Sequence, residues 1–182
     1  AASGATNNTL KLWNVADGTL KAELPGHAGS IVAAAFTPNG QEVISASADK
    51  SLRWWSAADG KAVRSVNLPA AATALAMKPD GTAVVAGTAE HQVLSFAVAS
   101  GQAGTTFPGH DAPITALSFS PDGTQLACRA ADGELRLWEW DGTLLEARRL
   151  GGASEENSKS ILAALTAESN NVLLLDPETG LT

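Results

Sequence analysis

The chain has 182 residues, of which 45% are hydrophobic and 17% charged, so it can bury a core, and this composition argues against a disordered acidic tail. Its 12 Lys and Arg against 19 Asp and Glu give a formal charge of −7, which disfavours nucleic acid or an anionic membrane as the main partner, because phosphate is bound chiefly by Lys and Arg. Cys128 is the single cysteine, so neither an intramolecular disulfide nor a cysteine-based zinc site can form.

The predicted elements repeat along the chain. The chain opens within a second strand, and an aromatic-ended third strand with an Asp-Gly turn follows in LKLWNVADG at 10–18. Each of the next three periods contains an apolar strand, a Pro-Asx-Gly turn, a second apolar strand, another turn, an aromatic-ended strand and a weaker fourth strand. The first strands are IVAAAF, ATALAM and ITALSF, and the second strands are EVISAS, AVVAGT and QLACRA. No stretch keeps a helical period, so the sequence predicts almost no helix.

Aromatic residues close the third strands at a nearly constant interval. The intervals are 42, 41 and 42 residues between Trp13, Trp55, Phe96 and Trp138. A weaker fifth copy, VLLLDPETG at 172–180, has Leu175 in the aromatic position. A fixed period of this length is the signature of a repeat architecture.

Two of the repeats also carry a Gly-His pair. The pairs are Gly26-His27 and Gly109-His110, and each histidine lies nine residues before the phenylalanine that ends a first strand. Together with the Pro-Asp-Gly turns, the turn aspartates and the tryptophans, these pairs resemble the WD40 family. The resemblance implies an all-β fold, a WD40-type β-propeller built from four-stranded antiparallel blades. About four to five blades would be present, of a ring that most often has seven in this family.

The resemblance also sets the expected organisation of the chain. Residues 1–182 are predicted to be one partial propeller, with blade segments at approximately 1–25, 26–67, 68–108, 109–150 and 151–182. The segment GGASEENSKS at 151–160 falls where the fifth copy should have an apolar first strand and a turn. The C-terminus supplies no first strand for the opening blade. We therefore expect the remaining blades to be supplied by a longer parent chain or by another copy.

The resemblance assigns the repeated polar residues to a structural hydrogen-bond network inside each blade. A buried indole N–H needs an acceptor and a buried carboxylate needs donors, and one chain of bonds serves both. The expected members are, in the second blade, His27, Ser47, Asp49 and Trp55, and, in the fourth, His110, Asp132 and Trp138. Ala130 replaces the serine of the fourth blade. The third blade keeps Thr88 and Phe96 but has Glu90 and no Gly-His pair, and the first has Ala5 and Asn7.

The partners expected for such a propeller are proteins or peptides, bound at the loops between fourth and first strands and between second and third strands. The positions predicted for this face are Ala28, Ser30, Ala48, Asp111, Pro113 and Ala131. They include no aromatic residue and no Arg, the types that favour binding hot spots. Trp140 is either an exposed anchor for a partner or a ring packed on the neighbouring strand, the second being favoured. Trp54 is expected to pack between blades.

No catalytic constellation emerges from these motifs, and the sequence predicts no catalytic residue, no metal site and no cofactor. The three histidines lie in different repeats without paired metal-ligand spacing. The first hypothesis is therefore a non-catalytic propeller that scaffolds other proteins. The alternative is a propeller attached to an enzyme or electron-transfer module of a parent chain. A site on the propeller axis is disfavoured, because Ala and Val stand where inward carboxylates or histidines would be needed.

Overall fold

The computed structural model describes residues 1–4 and 8–149, and these residues form fifteen β-strands and no helix. Within them, therefore, nothing helical could span a lipid bilayer. The strands are β1 (Ala2–Gly4), β2 (Leu10–Trp13), β3 (Leu20–Leu24), β4 (Ile31–Phe36), β5 (Glu42–Ser47), β6 (Ser51–Ser56), β7 (Ala62–Asn67), β8 (Ala72–Met77), β9 (Ala83–Thr88), β10 (Val93–Ala97), β11 (Ala103–Phe107), β12 (Ile114–Phe119), β13 (Gln125–Ala130), β14 (Glu134–Glu139) and β15 (Leu144–Arg149).

Consecutive strands pair antiparallel into separate sheets. The first sheet has the order β1-β2-β3, the second β4-β5-β6-β7, the third β8-β9-β10-β11 and the fourth β12-β13-β14-β15. The predicted all-β architecture of four-stranded antiparallel blades is thus confirmed in the second, third and fourth sheets. The predicted fifth copy lies outside the described residues.

The tight turns between first and second strands follow from their Pro-Asx-Gly sequences. In the third sheet Gly81 has φ of 73° and donates its N–H to the Lys78 carbonyl at 2.8 Å. In the fourth sheet Gly123 has φ of 69° and donates to the Ser120 carbonyl at 2.9 Å. Because only glycine adopts a positive φ without strain, the glycine fixes where each hairpin reverses.

A separate apolar cluster lies between each pair of successive sheets. Leu10, Leu24 and Trp55 belong to the cluster between the first and second sheets. Trp54, fully buried, belongs to the cluster between the second and third, the position expected for it. Trp138 is the central aromatic residue between the third and fourth. The sheets therefore stack in chain order, and each face buries its apolar side chains against its neighbour.

All turns of the sheets lie at one of two ends. The loops that precede the first strands and those that join second to third strands share one end, which we call the upper end. The turns that join first to second and third to fourth strands share the opposite, lower end.

Candidate functional site

The second sheet holds a continuous chain of buried hydrogen bonds at its upper end. His27 donates from Nδ1 to the Asp49 carboxylate at 2.8 Å, and its Nε2 lies 2.7 Å from the Ser45 hydroxyl. The Trp55 indole N–H donates to the same hydroxyl at 2.8 Å. Asp49 also accepts from the Ala28 backbone N–H at 2.8 Å. The network thus joins the loop before β4 to β5, β6 and the turn between them.

The hydroxyl that the imidazole and the indole share belongs to Ser45, whereas the predicted Ser47 meets the network through the Asp49 backbone, whose N–H donates to its hydroxyl at 3.1 Å. Ser47 donates instead to the Gly29 carbonyl at 3.0 Å. The reason is the register of β5 and β6, in which Trp55 pairs with Val43 and Ser45 is the next residue along on the same face. Ser47 lies one further step away on that face, so the indole reaches Ser45 first.

The fourth sheet repeats the arrangement with two changes. His110 Nδ1 lies 3.1 Å from the carboxylate of Glu134, a residue that the sequence did not predict for the network, and the charge of the predicted Asp132 also acts on this ring. Asp132 accepts the Glu134 backbone N–H at 3.1 Å. Glu134 occupies the position of Ser51 of the second sheet, and its longer side chain reaches the imidazole.

The second change in the fourth sheet is that Cys128 stands where Ser45 stands in the second. Within the described part of the chain, His110 Nε2 and Trp138 Nε1 are buried without a hydrogen-bond partner. These are the two atoms whose counterparts in the second sheet bond the serine hydroxyl. Burial raises the pKa of the Cys128 thiol to about 12, so the group stays a neutral, weak hydrogen-bonding partner.

The first and third sheets show two further states of the network. In the first, the Trp13 indole donates to the Ser3 hydroxyl at 2.8 Å, while Ala5 and Asn7 fall outside the described residues. In the third, the positions of the histidine, serine and tryptophan are all apolar and buried: Leu68, Ala86 and Phe96. Thr88 accepts the Gln92 backbone N–H at 3.0 Å, and Glu90 is exposed.

The two network histidines are sealed inside their sheets. Both imidazole side chains have 0% exposure to solvent. Burial lowers the pKa of His27, against the opposing hydrogen bond and charge of Asp49. Burial and the Arg136 charge lower the pKa of His110, against Glu134 and Asp132. A buried, neutral ring with its nitrogens turned into the sheet cannot reach a bound substrate.

The residues predicted for the partner face lie at the upper end. Backbone bonds connect their loops in pairs: Ala48 N–H donates to the Ser30 carbonyl at 2.9 Å, and Ala131 N–H to the Pro113 carbonyl at 2.8 Å. Pro113 is half-buried, and the exposed members of the set are Ala28, Ser30, Ala48, Asp111 and Ala131. Among the described residues, no group of three His, Cys, Asp or Glu side chains could hold a metal ion.

Trp140 lies apart from the other residues predicted for that face. It lies at the lower end, half-buried, with ring centroids 5.7 Å from Phe107 of the third sheet and 5.3 Å from Phe119 of the fourth. The Lys78 ammonium lies 5.6 Å from its centroid. Trp140 therefore packs between two sheets, which is the alternative that the sequence favoured.

Comparison with known proteins places these repeats in a family. The family model "WD domain, G-beta repeat" matches residues 18–56 and 101–139, which contain both Gly-His pairs and the Trp55 and Trp138 strands. The chain belongs to the WD40-repeat family. Both matches run from the fourth strand of one sheet through the third strand of the next, so each WD40 repeat spans two blades.

Several WD40-repeat relatives are similar over part of their length. Periodic tryptophan protein 2 of Arabidopsis thaliana is 31% identical over 141 residues, 76% of this chain and 16% of the relative. THO complex subunit 3 of the same plant is 35% identical over 97 residues, 50% of this chain and 31% of the relative. Nuclear distribution protein PAC1 of Tuber melanosporum is 43% identical over 67 residues, 36% of this chain and 15% of the relative. The chain thus spans less than a third of each of these relatives.

One signal in the WD40 repeats identifies the network hydroxyl that motif reading missed. The residue ten positions before each aromatic anchor is the one that faces it: Ser3, Ser45, Ala86 and Cys128. Serine accompanies tryptophan in the first two sheets, and alanine accompanies phenylalanine, which has no N–H to satisfy. Only the fourth sheet breaks this correspondence.

Proposed function

We propose that this chain is part of a non-catalytic WD40 propeller that holds other proteins at the upper end of its blades. The observation that carries the proposal is the sealing of His27 and His110. Histidine is the residue type best suited to act as a general base, and both of these side chains are instead buried inside their sheets, where they hold the network together. The blade segments predicted from the sequence stay part of the proposal, with the remaining blades supplied by the parent chain or another copy.

The upper end has the properties of a protein-binding surface. Its loops are exposed, and they are fixed from below by the network and by the Ala48–Ser30 and Ala131–Pro113 backbone bonds. Rigid presentation lowers the entropy lost on binding a partner. Supporting the same function, one relative is by name a subunit of the THO complex. The net charge of −7 favours protein over nucleic acid or an anionic membrane.

Two lysines on opposite ends allow a footprinting test of this surface. Lys50 is exposed in the upper β5–β6 turn and Lys61 is exposed in the lower β6–β7 turn. In the natural full-length protein bound to its partner, we expect amine-reactive labelling of Lys50 to fall while Lys61 keeps its labelling. Equal labelling of both lysines in the bound and free states would count against the upper face.

A matched pair of substitutions tests the same face by affinity. Ser30→Arg places a bulky charge at the upper end, whereas Ser65→Arg places it on the exposed outer strand β7. We expect Ser30→Arg to weaken partner binding about tenfold or more, and Ser65→Arg to leave it within about twofold. Binding that Ser30→Arg leaves unchanged would contradict the proposed surface.

A further inference from the structure

An open cleft of about 640 Å³ lies at the lower end between the first and second sheets. Its apolar lining includes Leu12, Val15, Phe36 and Ala57, and Asn14, Thr19 and Lys21 form its polar side. Val15 is 79% exposed and Phe36 is 39% exposed, so these apolar side chains face water. The volume falls in the range of pockets that bind small molecules or buried side chains.

The two neighbouring interfaces show what fills the equivalent place. Two positions face each other at this place in every interface. One sheet contributes the residue just before its aromatic anchor, and the next sheet contributes the residue two positions after its own anchor. The three pairs, in chain order, are Leu12 with Ala57, Trp54 with Val98, and Ser95 with Trp140. Equivalent backbone bonds fix the second member of each pair: its N–H donates to the carbonyl of Gln41, Thr82 or Thr124, at 2.8, 2.9 and 2.8 Å.

Each of these neighbouring interfaces contains one indole at this place. Between the second and third sheets Trp54 supplies it, opposite Val98 in the same cluster. Between the third and fourth sheets Trp140 supplies it from the other side, and Ser95 is the small partner. Between the first and second sheets both positions are small or aliphatic, Leu12 and Ala57, and the cleft is found there.

The residues that end the first strands lead to the same conclusion. Phe119 lies against the Trp140 ring, with centroids 5.3 Å apart. Met77 packs on the cluster that contains Trp54. Their counterpart Phe36 lines the cleft and stays partly exposed. The residue that ends the first strand therefore lies beside an indole, or the cluster that contains one, in two interfaces. In the remaining interface Phe36 is present, but neither Leu12 nor Ala57 supplies an indole.

We propose that this lower cleft binds the indole side chain of a tryptophan on a partner protein. An indole buries a large apolar area and favours offset or edge contacts with other rings, and Phe36 offers such a contact. Tryptophan is also a residue type that dominates binding hot spots when it fills a pocket. The inference goes beyond the proposed function, because the cleft lies at the end opposite to the upper face.

The test uses 5-fluoroindole as a probe, followed by fluorine NMR during titration of the natural full-length protein. We expect saturable binding, and competition by N-acetyl-tryptophanamide but not by N-acetyl-leucinamide. Ala57→Trp should fill the cleft as Trp140 fills its own interface and weaken probe binding about tenfold or more. The control Ala58→Trp adds the same ring at an exposed neighbouring position and should bind the probe as the wild type does.

A second cleft-filling variant keeps the test decisive if Ala57→Trp does not fold. Leu12→Trp introduces the indole from the first sheet, as Trp54 does from the second. It should weaken binding of the probe by a similar factor. Absence of saturable binding to the wild type would overturn the proposal. Unchanged binding of the probe to a folded cleft-filling variant would overturn the proposal too, since the probe would then bind outside the cleft.

Discussion

One atom distinguishes the buried networks of the second and fourth sheets, the hydroxyl oxygen of Ser45 against the sulfur of Cys128. Sulfur is a weak donor and acceptor, and two buried polar atoms, His110 Nε2 and Trp138 Nε1, have no bond within the described residues as a result. Each such group costs about 1–3 kcal/mol. The third sheet avoids this cost because Leu68, Ala86 and Phe96 replace all partners at once, a change that is close to neutral when shape is kept.

Cys128→Ser is therefore expected to stabilise the chain. The new hydroxyl can accept from the Trp138 indole and bond His110 Nε2, as Ser45 does in the second sheet. We expect the free energy of unfolding in urea to rise by about 1 kcal/mol, since two satisfied groups outweigh the cost of burying a hydroxyl. The reverse change, Ser45→Cys, should lower it by about 1–3 kcal/mol. A destabilised Cys128→Ser together with a harmless Ser45→Cys would refute the role given to this position.

Motif positions alone predicted part of this site. The sequence located His27, Asp49 and Trp55 because the Gly-His pair, the turn and the anchor are local features. It could not choose between Ser45 and Ser47, since both lie on one face of β5 and only the pairing of β5 with β6 decides which one the indole reaches. Glu134 was not predicted for a related reason: its contact with His110 depends on the reach of a side chain from β14, which no local motif marks.

At the strand level, a small residue of each second strand faces the residue that begins the first strand of the next sheet. Gly4 faces Ile31, with an added Cβ at 3.5 Å from the isoleucine. In the next interface Ala46 and Ala72 occupy these positions within one cluster. Gly87 faces Ile114, and a Cβ there would lie 2.4 Å from its Cγ2. Size at the two positions is thus complementary, and β9 and β12 approach closely because Gly87 has no side chain.

Gly87→Ala should destabilise the chain by about 1–3 kcal/mol through overpacking against Ile114. Ile114→Ala removes the Cγ2 at 2.4 Å but keeps the Cβ, which lies 2.7 Å from the added Cβ, so a double-mutant cycle with Ile114→Ala isolates the part of the clash that Cγ2 causes. Added to Ile114→Ala, which recreates the residue types of the Ala46–Ala72 pair, Gly87→Ala should cost less stability than it does in the wild type. Urea unfolding of the four proteins measures the coupling. Additive effects of the two substitutions would show that the close approach is relaxed elsewhere.

Elements with local signals were predictable and contacts between sheets were not. Pro-Asx-Gly turns and alternating apolar strands fix each hairpin by its own residues, which is why the order of strands follows the sequence. Trp140 packs against Phe107, which belongs to another sheet. The equivalent position of the second sheet holds Val66, so the repeat alone does not predict an aromatic ring there. The packing of Trp140 therefore required the stacking of the third and fourth sheets to be known.

Across the whole molecule, buried histidines link stability to pH. An unfolded histidine has a pKa of about 6.5, and burial lowers the pKa of both His27 and His110 below that value. The unfolded chain then binds more protons between the two values, so the free energy of unfolding rises with pH in that window. Charged groups facing the rings also shift the two histidine pKa values: Arg53 lowers that of His27 and Arg136 that of His110, while Asp49 raises the first and Glu134 and Asp132 raise the second.

The Asp49 carboxylate affects stability at lower pH. Its hydrogen bonds from Ser51, Ala28 and His27 outweigh the effect of burial and hold its pKa at about 2.

The stability of the chain should therefore be constant above about pH 7 and fall as the pH drops below about 6.5, through the lowered histidine pKa values. A second loss should follow between about pH 4 and pH 2, as Asp49 is protonated in the native state. Urea midpoints measured across this range give the slope. His27→Gln should reduce the slope below about pH 6.5, and His27→Gln with His110→Gln should remove most of the histidine part of it, whatever the loss in absolute stability. The lower-pH loss tests the carboxylate separately: Asp49→Asn should reduce it without touching His110, and Asp59, Asp80 and Asp122, whose pKa values are also lowered to about 2, should carry the remainder. A slope that survives in the double histidine variant would mean that groups outside the two networks carry the pH dependence.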